Sequence, residues 1–245
     1  MTTASSVLEV ERLGVRYGDT NVLYDVSFSV RRGELIAVIG PNGAGKSTMF
    51  KAICGLVNHS GVVEVNGVHC HNRTDRMDLA YIPQRNDSDL NFPITVGELV
   101  LAGRRRFHSW WQRPTQHDRD AADQALTKVF LEGTQSRSLT ELSGGQLQRA
   151  YLARALAQEA SVVLLDESLS GVDEPTTAEL FDVFGTLAKE GTTLLVATHD
   201  LALARRRFQR CLAVNGTLRG DGTPEQVLSA EILDTTFGSL RAVPH

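Results

Sequence analysis

A glycine-rich segment near the N-terminal end has the spacing G-x-x-x-x-G-K-[ST], which binds nucleotide phosphates. Its residues are Gly40, Pro41, Asn42, Gly43, Ala44, Gly45, Lys46, Ser47 and Thr48. Backbone N–H groups at a helix N-terminus surround a phosphate only where side chains leave room, and we expect the three glycines to leave it. Lys46 would reach the β- and γ-phosphates, the Ser47 hydroxyl would bind Mg²⁺, and Thr48 would support a neighbouring phosphate.

Two acidic residues follow an apolar segment far downstream. Val162 to Leu165 has the composition of a buried strand, and Asp166 and Glu167 come directly after it. Ligands of an α/β sheet bind outside the carboxyl ends of its strands, so both carboxylates would emerge beside the phosphates. Neighbouring residues of a strand point to opposite sides, which allows the two acids separate roles. One position suits a metal ligand and the other a general base.

A pentapeptide between these motifs reads Leu142-Ser143-Gly144-Gly145-Gln146. Alone it predicts only a helix start with a serine N-cap. Together with the phosphate loop and the paired acids, it resembles the signature motif of the ATP-binding cassette (ABC) family. In that family the serine hydroxyl and glycine N–H groups face the γ-phosphate of ATP held by a second subunit. The resemblance therefore implies a homodimer in which Ser143, Gly144, Gly145 and Gln146 contact the partner's ATP.

The same resemblance assigns roles to the acids and to two polar residues near them. Asp166 would hold Mg²⁺ together with Ser47 and Gln84, and Glu167 would orient the attacking water as general base. Gln84 would also link the site to the helical insertion that follows it. His199, after an apolar strand, would contact the γ-phosphate and help to place the catalytic glutamate.

Three further positions complete the comparison with the family pattern. Tyr17 resembles the aromatic residue that stacks on adenine, and Asp173 lies where the chain crosses to the opposite subunit and couples the two sites. Ser168 departs from the pattern, because the family usually places proline after the glutamate. Serine loosens the backbone there and removes no catalytic group.

The elements that position these residues predict an α/β protein of one domain. Roughly the first 35 residues alternate as antiparallel strands and would form a small β-layer. Strands then alternate with helices, which indicates a mainly parallel sheet, and the resemblance makes this sheet a P-loop NTPase core. Residues 87–140 carry helical patterns at Val96 to Leu101 and His117 to Phe130, and would form a helical subdomain. Residues 1–86 and 141–245 would form the core with its β-layer.

The composition is that of an ordinary globular protein of 245 residues with a net charge of -4. We expect no transmembrane segment, since no apolar stretch approaches roughly 18 residues, and no signal region, since Met1 to Ser6 lacks the basic and apolar character of one. Three scattered cysteines argue against a disulfide framework and for a cytosolic, reducing compartment. The net charge gives no reason to expect nucleic acid as a partner. For two basic runs, Arg104 to Arg106 and Arg205 to Arg207, a solvated helix face is the simplest interpretation.

A second metal site at His69, Cys70 and His71 is less favoured. The two histidines share one face of an extended segment, but two ligands do not make a closed metal site. We expect these side chains to lie on the surface, and leave binding of a regulatory metal open.

The insertion carries a finer resemblance, to the ATPases of bacterial manganese, zinc and iron importers. It is carried by Pro83-Gln84-Arg85, Asp89, Phe92 to Val96, Gly103-Arg104 and Trp110 to Pro114. This resemblance implies a homodimer, peripheral at the cytoplasmic face of the plasma membrane, beneath two copies of a permease and served by an extracytoplasmic metal-binding receptor. Leu90, Phe92 and Ile94 would offer an apolar groove to a permease helix, and the Arg104 to Arg106 run would pair with acids there.

The function predicted is therefore ATP-driven uptake of a divalent transition metal, manganese or zinc ahead of iron. An ABC ATPase for another substrate, such as an iron chelate or haem, remains an alternative. A soluble ABC protein of translation or DNA repair is disfavoured, since the chain has neither a second cassette nor a long coiled coil. The presence of Glu167 and His199 argues against a regulator that binds ATP without hydrolysing it.

Overall fold

An antiparallel sheet forms the first layer of the structure, a computed structural model that describes residues 6–70, 74–84, 94–107, 112–167 and 173–238. Strand β1 (Ser6–Tyr17) pairs with β2 (Thr20–Arg31) and with β4 (Ser60–Val65). The short strand β5 (Val68–His69) completes the order β2-β1-β4-β5. The expected β-layer is therefore confirmed, and it also recruits strands that follow the phosphate loop.

A six-stranded sheet forms the second layer, in the order β10-β9-β3-β8-β7-β6. Its strands are β3 (Leu35–Ile39), β6 (Leu79–Ile82), β7 (Val162–Leu165), β8 (Thr193–Thr198), β9 (Arg210–Asn215) and β10 (Thr217–Gly222). All neighbouring pairs are parallel except the hairpin of β9 and β10. Every residue of β7 and β8 is buried, as expected for central parallel strands covered on both faces.

Helices cover both faces of the parallel sheet. They are α1 (Lys46–Ile53), α2 (Val96–Leu101), α3 (Gln116–Lys128), α4 (Gly144–Ala157), α5 (Glu174–Lys189), α6 (Leu201–Arg207), α7 (Pro224–Val227) and α8 (Ala230–Phe237). Alternate residues of β3 serve two cores: Ile36 and Val38 face α1 and the antiparallel sheet, whereas Ala37 and Ile39 face α4 and α5. Among the described residues, none of the helices combines the length and apolar character that a bilayer crossing needs.

Helices α2 and α3 form the described part of the predicted helical insertion. Both begin with a capping box, at Thr95 with Glu98 and at Thr115 with Asp118. Their apolar faces, with Val100 and Leu126, belong to the same core as α4. The insertion is thus packed onto the helix that carries the pentapeptide, while its exact boundaries at residues 87 and 140 remain a prediction.

The first arginine of the basic run in this insertion is buried, which corrects the expectation of a solvated or permease-facing arginine. Arg104 is 4% exposed, and its guanidinium donates to Asp118 Oδ1 at 3.0 Å, to Glu159 Oε1 at 2.5 Å and to the carbonyl of Ala157 at 3.0 Å. These bonds join α3 to the C-terminal end of α4. Arg105 is exposed, and the Arg106 side chain lies outside the described residues.

We predict that Arg104→Ala destabilises the protein by about 3–5 kcal/mol, because it removes a buried guanidinium that donates to Asp118, to Glu159 and to the carbonyl of Ala157. Chemical denaturation gives this free energy of unfolding. Arg119→Ala, which removes an exposed arginine from the same helix α3, is the matched control and should change stability by no more than about 0.5 kcal/mol. Equal effects of the two substitutions would contradict a structural role for Arg104.

Candidate functional site

The carboxyl ends of four neighbouring strands bring the candidate site residues to one edge of the sheet. Ile39, which ends β3, pairs with Thr198, which ends β8. Leu165, at the end of β7, pairs with Val196 of β8 and with Ile82, at the end of β6. The phosphate loop, the paired acids, Gln84 and His199 all follow directly after these strand ends. The grouping expected from the α/β pattern is therefore present.

The phosphate loop joins β3 to α1 and presents free backbone donors to a cavity. No described side chain caps the N-terminus of α1, whose N-cap residue Gly45 adopts a left-handed conformation with φ of 95°. The cavity measures about 440 Å³ and is lined by Val22, Asn42, Gly43, Ala44, Gly45, Lys46, Ser47, Thr48, Gln84 and Glu167. Uncapped N–H groups at a helix start favour an anion, so the cavity suits a phosphate chain.

The three loop glycines serve different purposes. A methyl group on Gly40 would clash with the carbonyl of Val214, and one on Gly45 would lie 2.6 Å from Leu23 Cδ2. These two glycines let the loop pack against β9 and β2. At Gly43, by contrast, no described atom lies within 4 Å of the added carbon. The clearance for a phosphate that the sequence suggested for all three is thus seen at Gly43.

Lys46 is almost completely buried beneath this loop. Its ammonium donates to the carbonyl oxygens of Gly40 at 2.8 Å and Pro41 at 3.1 Å, and lies 3.5 Å from Glu167 Oε1. These contacts hold the positive charge at the floor of the cavity. An incoming phosphate therefore meets a cation that is already in place and competes with Glu167 for it.

Asp166 is 1% exposed, and each of its carboxylate oxygens accepts a hydrogen bond from a neighbouring element. The Ser47 hydroxyl, in the first turn of α1, donates to Oδ1 at 2.9 Å. The Tyr81 hydroxyl, on β6, donates to Oδ2 at 2.9 Å. Ser47 and Asp166 thus bring two side-chain oxygen atoms together, and oxygen is the type of ligand that Mg²⁺ prefers.

Tyr81 is a site residue that sequence reasoning missed. Burial, and after it the charge of Asp166, raise the pKa of its phenol well above the usual value. The hydroxyl therefore stays protonated and donates at every physiological pH. The only signal in the sequence was its place on a strand that ends just before Gln84, and a tyrosine there is more often part of the core.

Glu167 bridges Lys46 and Gln84. Its Oε2 accepts a hydrogen bond from Gln84 Nε2 at 2.9 Å, while Oε1 faces Lys46. The backbone of Glu167 has a φ of 43°, in the left-handed region that residues other than glycine rarely adopt. Strain of this kind is concentrated at functional sites and costs about 1–3 kcal/mol. Ser168, the departure from the family pattern, lies outside the described residues.

His199 and Tyr17 occupy exposed positions near the cavity. His199 follows β8 directly, and it makes no hydrogen bond within the described part of the chain. Tyr17 ends β1, is 48% exposed, and lies at the hairpin end where Arg16 pairs with Asn21, next to the cavity residue Val22. An exposed ring at that place suits stacking on a base. Contact of either residue with a nucleotide stays a prediction.

The pentapeptide forms the N-terminal end of α4. Ser143 is the N-cap: its Oγ accepts from the Gln146 N–H at 3.3 Å, and Gln146 Oε1 accepts from the Ser143 N–H at 3.1 Å. Ser143 and Gly144 are exposed. Within one chain Ser143 therefore acts as an N-cap. Among the described residues, its hydroxyl donates no hydrogen bond. The predicted contact of this hydroxyl with a second ATP is therefore compatible with the cap.

Gly145 and Asp173 are connected through Thr176. A methyl group on Gly145 would clash with Thr176 Cγ2, so α4 and α5 approach closely at this glycine. Asp173 is the N-cap of α5 and accepts from the Thr176 N–H at 3.3 Å. The predicted coupling residue and the pentapeptide thus touch the same threonine. Ser170 to Val172, which precede Asp173, lie outside the described residues.

The segment with His69 and Cys70 only partly fits the sequence expectation. His69 is exposed, but Cys70 is buried and its thiol donates to the carbonyl oxygens of Val68 and Asp75 at 3.5 Å, which corrects the expected surface position. Burial raises the pKa of the Cys70 thiol. No cluster of three metal-ligating side chains exists in the part of the chain that the structure describes, and His71 lies outside it.

Comparison with known proteins gives a consistent family match. Residues 23–170 match the family described as ABC transporter. The manganese transport system ATP-binding protein MntA of Synechocystis sp. is 37% identical over 235 residues, 95% of this chain and 90% of that protein. The zinc transport system ATP-binding protein TroB of Treponema pallidum is 37% identical over 97% of this chain and 89% of its own length. CbiO1 from Clostridium perfringens, part of the ABC transporter complex cbiONQ, has a TM-score of 0.80 at 27% identity, covering 94% of this chain and 93% of that chain.

The contact of Gly145 with Thr176 gives a testable prediction. Gly145→Ala should lower stability by about 1–3 kcal/mol, since the new methyl group overpacks the α4–α5 contact. Adding Thr176→Ser removes the clashing Cγ2 atom and should restore most of the loss in thermal unfolding. Thr176→Ser alone is the control. A double variant no more stable than Gly145→Ala would show that the close approach is not the cause.

Proposed function

Because the chain belongs to the ABC transporter family, we propose that it is the ATP-binding and ATP-hydrolysing subunit of an importer for a divalent transition metal. The observation that carries this proposal is the grouping of Lys46, Glu167 and Gln84 in the lining of the phosphate-loop cavity. Manganese and zinc are the preferred cargoes, since relatives named for these metals are 37% identical over nearly the whole chain. Iron, or a chelate of it, ranks below them.

The residues of the cavity have separate roles in hydrolysis. Ser47, Asp166 and Gln84 would hold Mg²⁺, which neutralises phosphate charge when bound. Lys46 binds the β- and γ-phosphates with the ammonium that now contacts Gly40 and Pro41. Glu167 accepts the proton of the attacking water at one carboxylate oxygen. Gln84 holds the glutamate in place from the other oxygen.

A second copy of this chain completes the site. The exposed start of α4, with Ser143 and Gly144, presents N–H groups and a hydroxyl to the γ-phosphate bound by the partner. A helix N-terminus stabilises an anion by roughly 0.3–2 kcal/mol, so ATP bound between two chains strengthens their association. His199 and Asp173 act at the same interface, as γ-phosphate contact and as coupling residue. Hydrolysis removes the bridging phosphate and weakens the dimer.

A cavity beside β6 is the proposed docking site for a helix of the permease. It measures about 610 Å³, lies between the end of α1, β6 and α4, and includes the exposed apolar side chains of Leu56 (47%) and Met77 (38%). Pro83, next to Gln84, forms part of its wall. Leu90 and Phe92 of the expected groove lie outside the described residues, and Ile94 packs against the core instead. Docking there would place the chain at the cytoplasmic face of the plasma membrane, with a receptor delivering the metal from the other side.

We predict that proteoliposomes holding this chain and the permease encoded beside it accumulate Mn²⁺ or Zn²⁺ only when ATP faces the ATPase. Glu167→Gln keeps the size and shape of the side chain but removes the base, so hydrolysis and uptake should fall about 10²–10⁴-fold while ATP still binds. Vigorous hydrolysis without accumulation of Mn²⁺, Zn²⁺ or iron would refute the cargo. Near-normal hydrolysis by Glu167→Gln would remove Glu167 from the role of base.

The shared site predicts a charge effect at Ser143. Asparagine and aspartate are equally good N-caps, so Ser143→Asn and Ser143→Asp should fold with similar stability. Only the aspartate sets a negative charge against the partner's γ-phosphate. In the Glu167→Gln background, light scattering should detect ATP-dependent dimers of Ser143→Asn and none of Ser143→Asp. Equal dimerisation of the two variants would count against the shared site.

A further inference from the structure

Tyr81 lies between the acid that would hold Mg²⁺ and the cavity beside β6. Its hydroxyl donates to Asp166 Oδ2 at 2.9 Å, and its ring forms part of the cavity wall. Tyr81 pairs with Leu164 of β7, and the carbonyl of Ile82 accepts from the Asp166 N–H at 2.9 Å. Phenol and carboxylate therefore project from adjacent, hydrogen-bonded strands, which fixes their distance through the backbone.

Ser47 and Tyr81 both donate a hydrogen bond to Asp166, but only one of them has a second role in the proposed site. Ser47 belongs to the phosphate loop, and besides donating to Asp166 its hydroxyl oxygen would itself bind the metal in the proposed site. Tyr81 belongs to the sheet and has no such second task. When Ser47 turns its oxygen lone pairs to a metal, the bond from Tyr81 continues to orient the carboxylate. Partners of this kind, which hold a ligand without touching the metal, set the orientation of the ligand.

Burial makes this orientation matter. Asp166 is 1% exposed, so bulk water cannot replace a lost donor at Oδ2. Removing the phenol takes away the hydrogen bond that Tyr81 donates to Oδ2, so the orientation of the carboxylate would then be set by Ser47 and its other contacts alone. The carboxylate oxygen that would bind the metal would then be less firmly oriented.

We propose that Tyr81 is a positioning residue for the Mg²⁺·ATP site, acting through Asp166 to set the affinity for the metal rather than for the nucleotide alone. The proposal rests on the proposed function only in taking ATP as the ligand. It requires neither the permease nor a particular cargo. Failure of the transport assay would therefore leave it standing, and its own failure would leave the transport function standing.

The test is Tyr81→Phe, which removes the hydroxyl and keeps the ring. Binding of a fluorescent ATP analogue is measured in EDTA and then as a function of Mg²⁺ concentration. In EDTA, the affinity of Tyr81→Phe should equal that of the unmodified chain. The Mg²⁺ concentration that gives half of the metal-dependent change should rise by about tenfold or more, the usual effect of removing a group that orients a metal ligand. Tyr24→Phe, at an exposed tyrosine of β2, is the matched control and should change neither quantity.

Two results would overturn the proposal. One is an unchanged Mg²⁺ titration of Tyr81→Phe, and the other is an equal loss of nucleotide affinity with and without Mg²⁺, which would indicate a general structural role. If Tyr81→Phe folds poorly, Asp166→Ala is compared with the double variant Tyr81→Phe/Asp166→Ala, because neither contains an acceptor for the tyrosine hydroxyl. Because Tyr81 acts through the carboxylate, the added Phe should then have no further effect on the Mg²⁺ titration, and an additive effect would also contradict the proposal.

Discussion

The rest of the site depends on the hydrogen bonds that hold the buried carboxylate of Asp166. This carboxylate stands at the end of β7 and is held from one side by Ser47 of α1 and from the other by Tyr81 of β6. Three elements from distant parts of the chain therefore meet at one negative charge. A buried charge is tolerated only where hydrogen bonds satisfy it, so the packing of these elements and the chemistry of the site impose the same geometry.

Close backbone packing brings the remaining groups to that carboxylate. Gly40 and Gly45 allow the phosphate loop to lie against β9 and β2, and this places Lys46 under the loop within reach of Glu167. Gly145 has the same effect on the other side of the molecule, where it brings the start of α4 against α5. These glycines therefore help to set the distances between the elements that carry the charged groups. An added methyl group at such a close contact would force the packed elements apart.

The sequence predicted the elements and the motif residues well, since both depend on local patterns. The apolar strand Thr193–Thr198 and the helix Val96–Leu101 have the predicted bounds, and the catalytic candidates meet at one sheet edge. What it did not predict is which polar residues are buried. Arg104 looked like part of a solvated run, Cys70 like a surface residue, and Tyr81 carried no signal, because their burial arises from contacts with segments far along the chain.

Two sets of contacts connect the candidate site to the surfaces that the proposed function assigns to a second chain and to a permease. Asp173 and Gly145 meet the same residue, Thr176, so the start of α5 and the start of α4 are in direct contact. On the other side, Gln84 holds Glu167 and is preceded by Pro83 in the wall of the proposed docking cavity. Glu167, the proposed base, therefore has a strained backbone, and its carboxylate accepts a hydrogen bond from a residue next to the proposed docking cavity. A strained position of this kind is held by its surroundings, so the placement of Glu167 depends on Lys46 and Gln84 and not on the conformational preference of its own backbone.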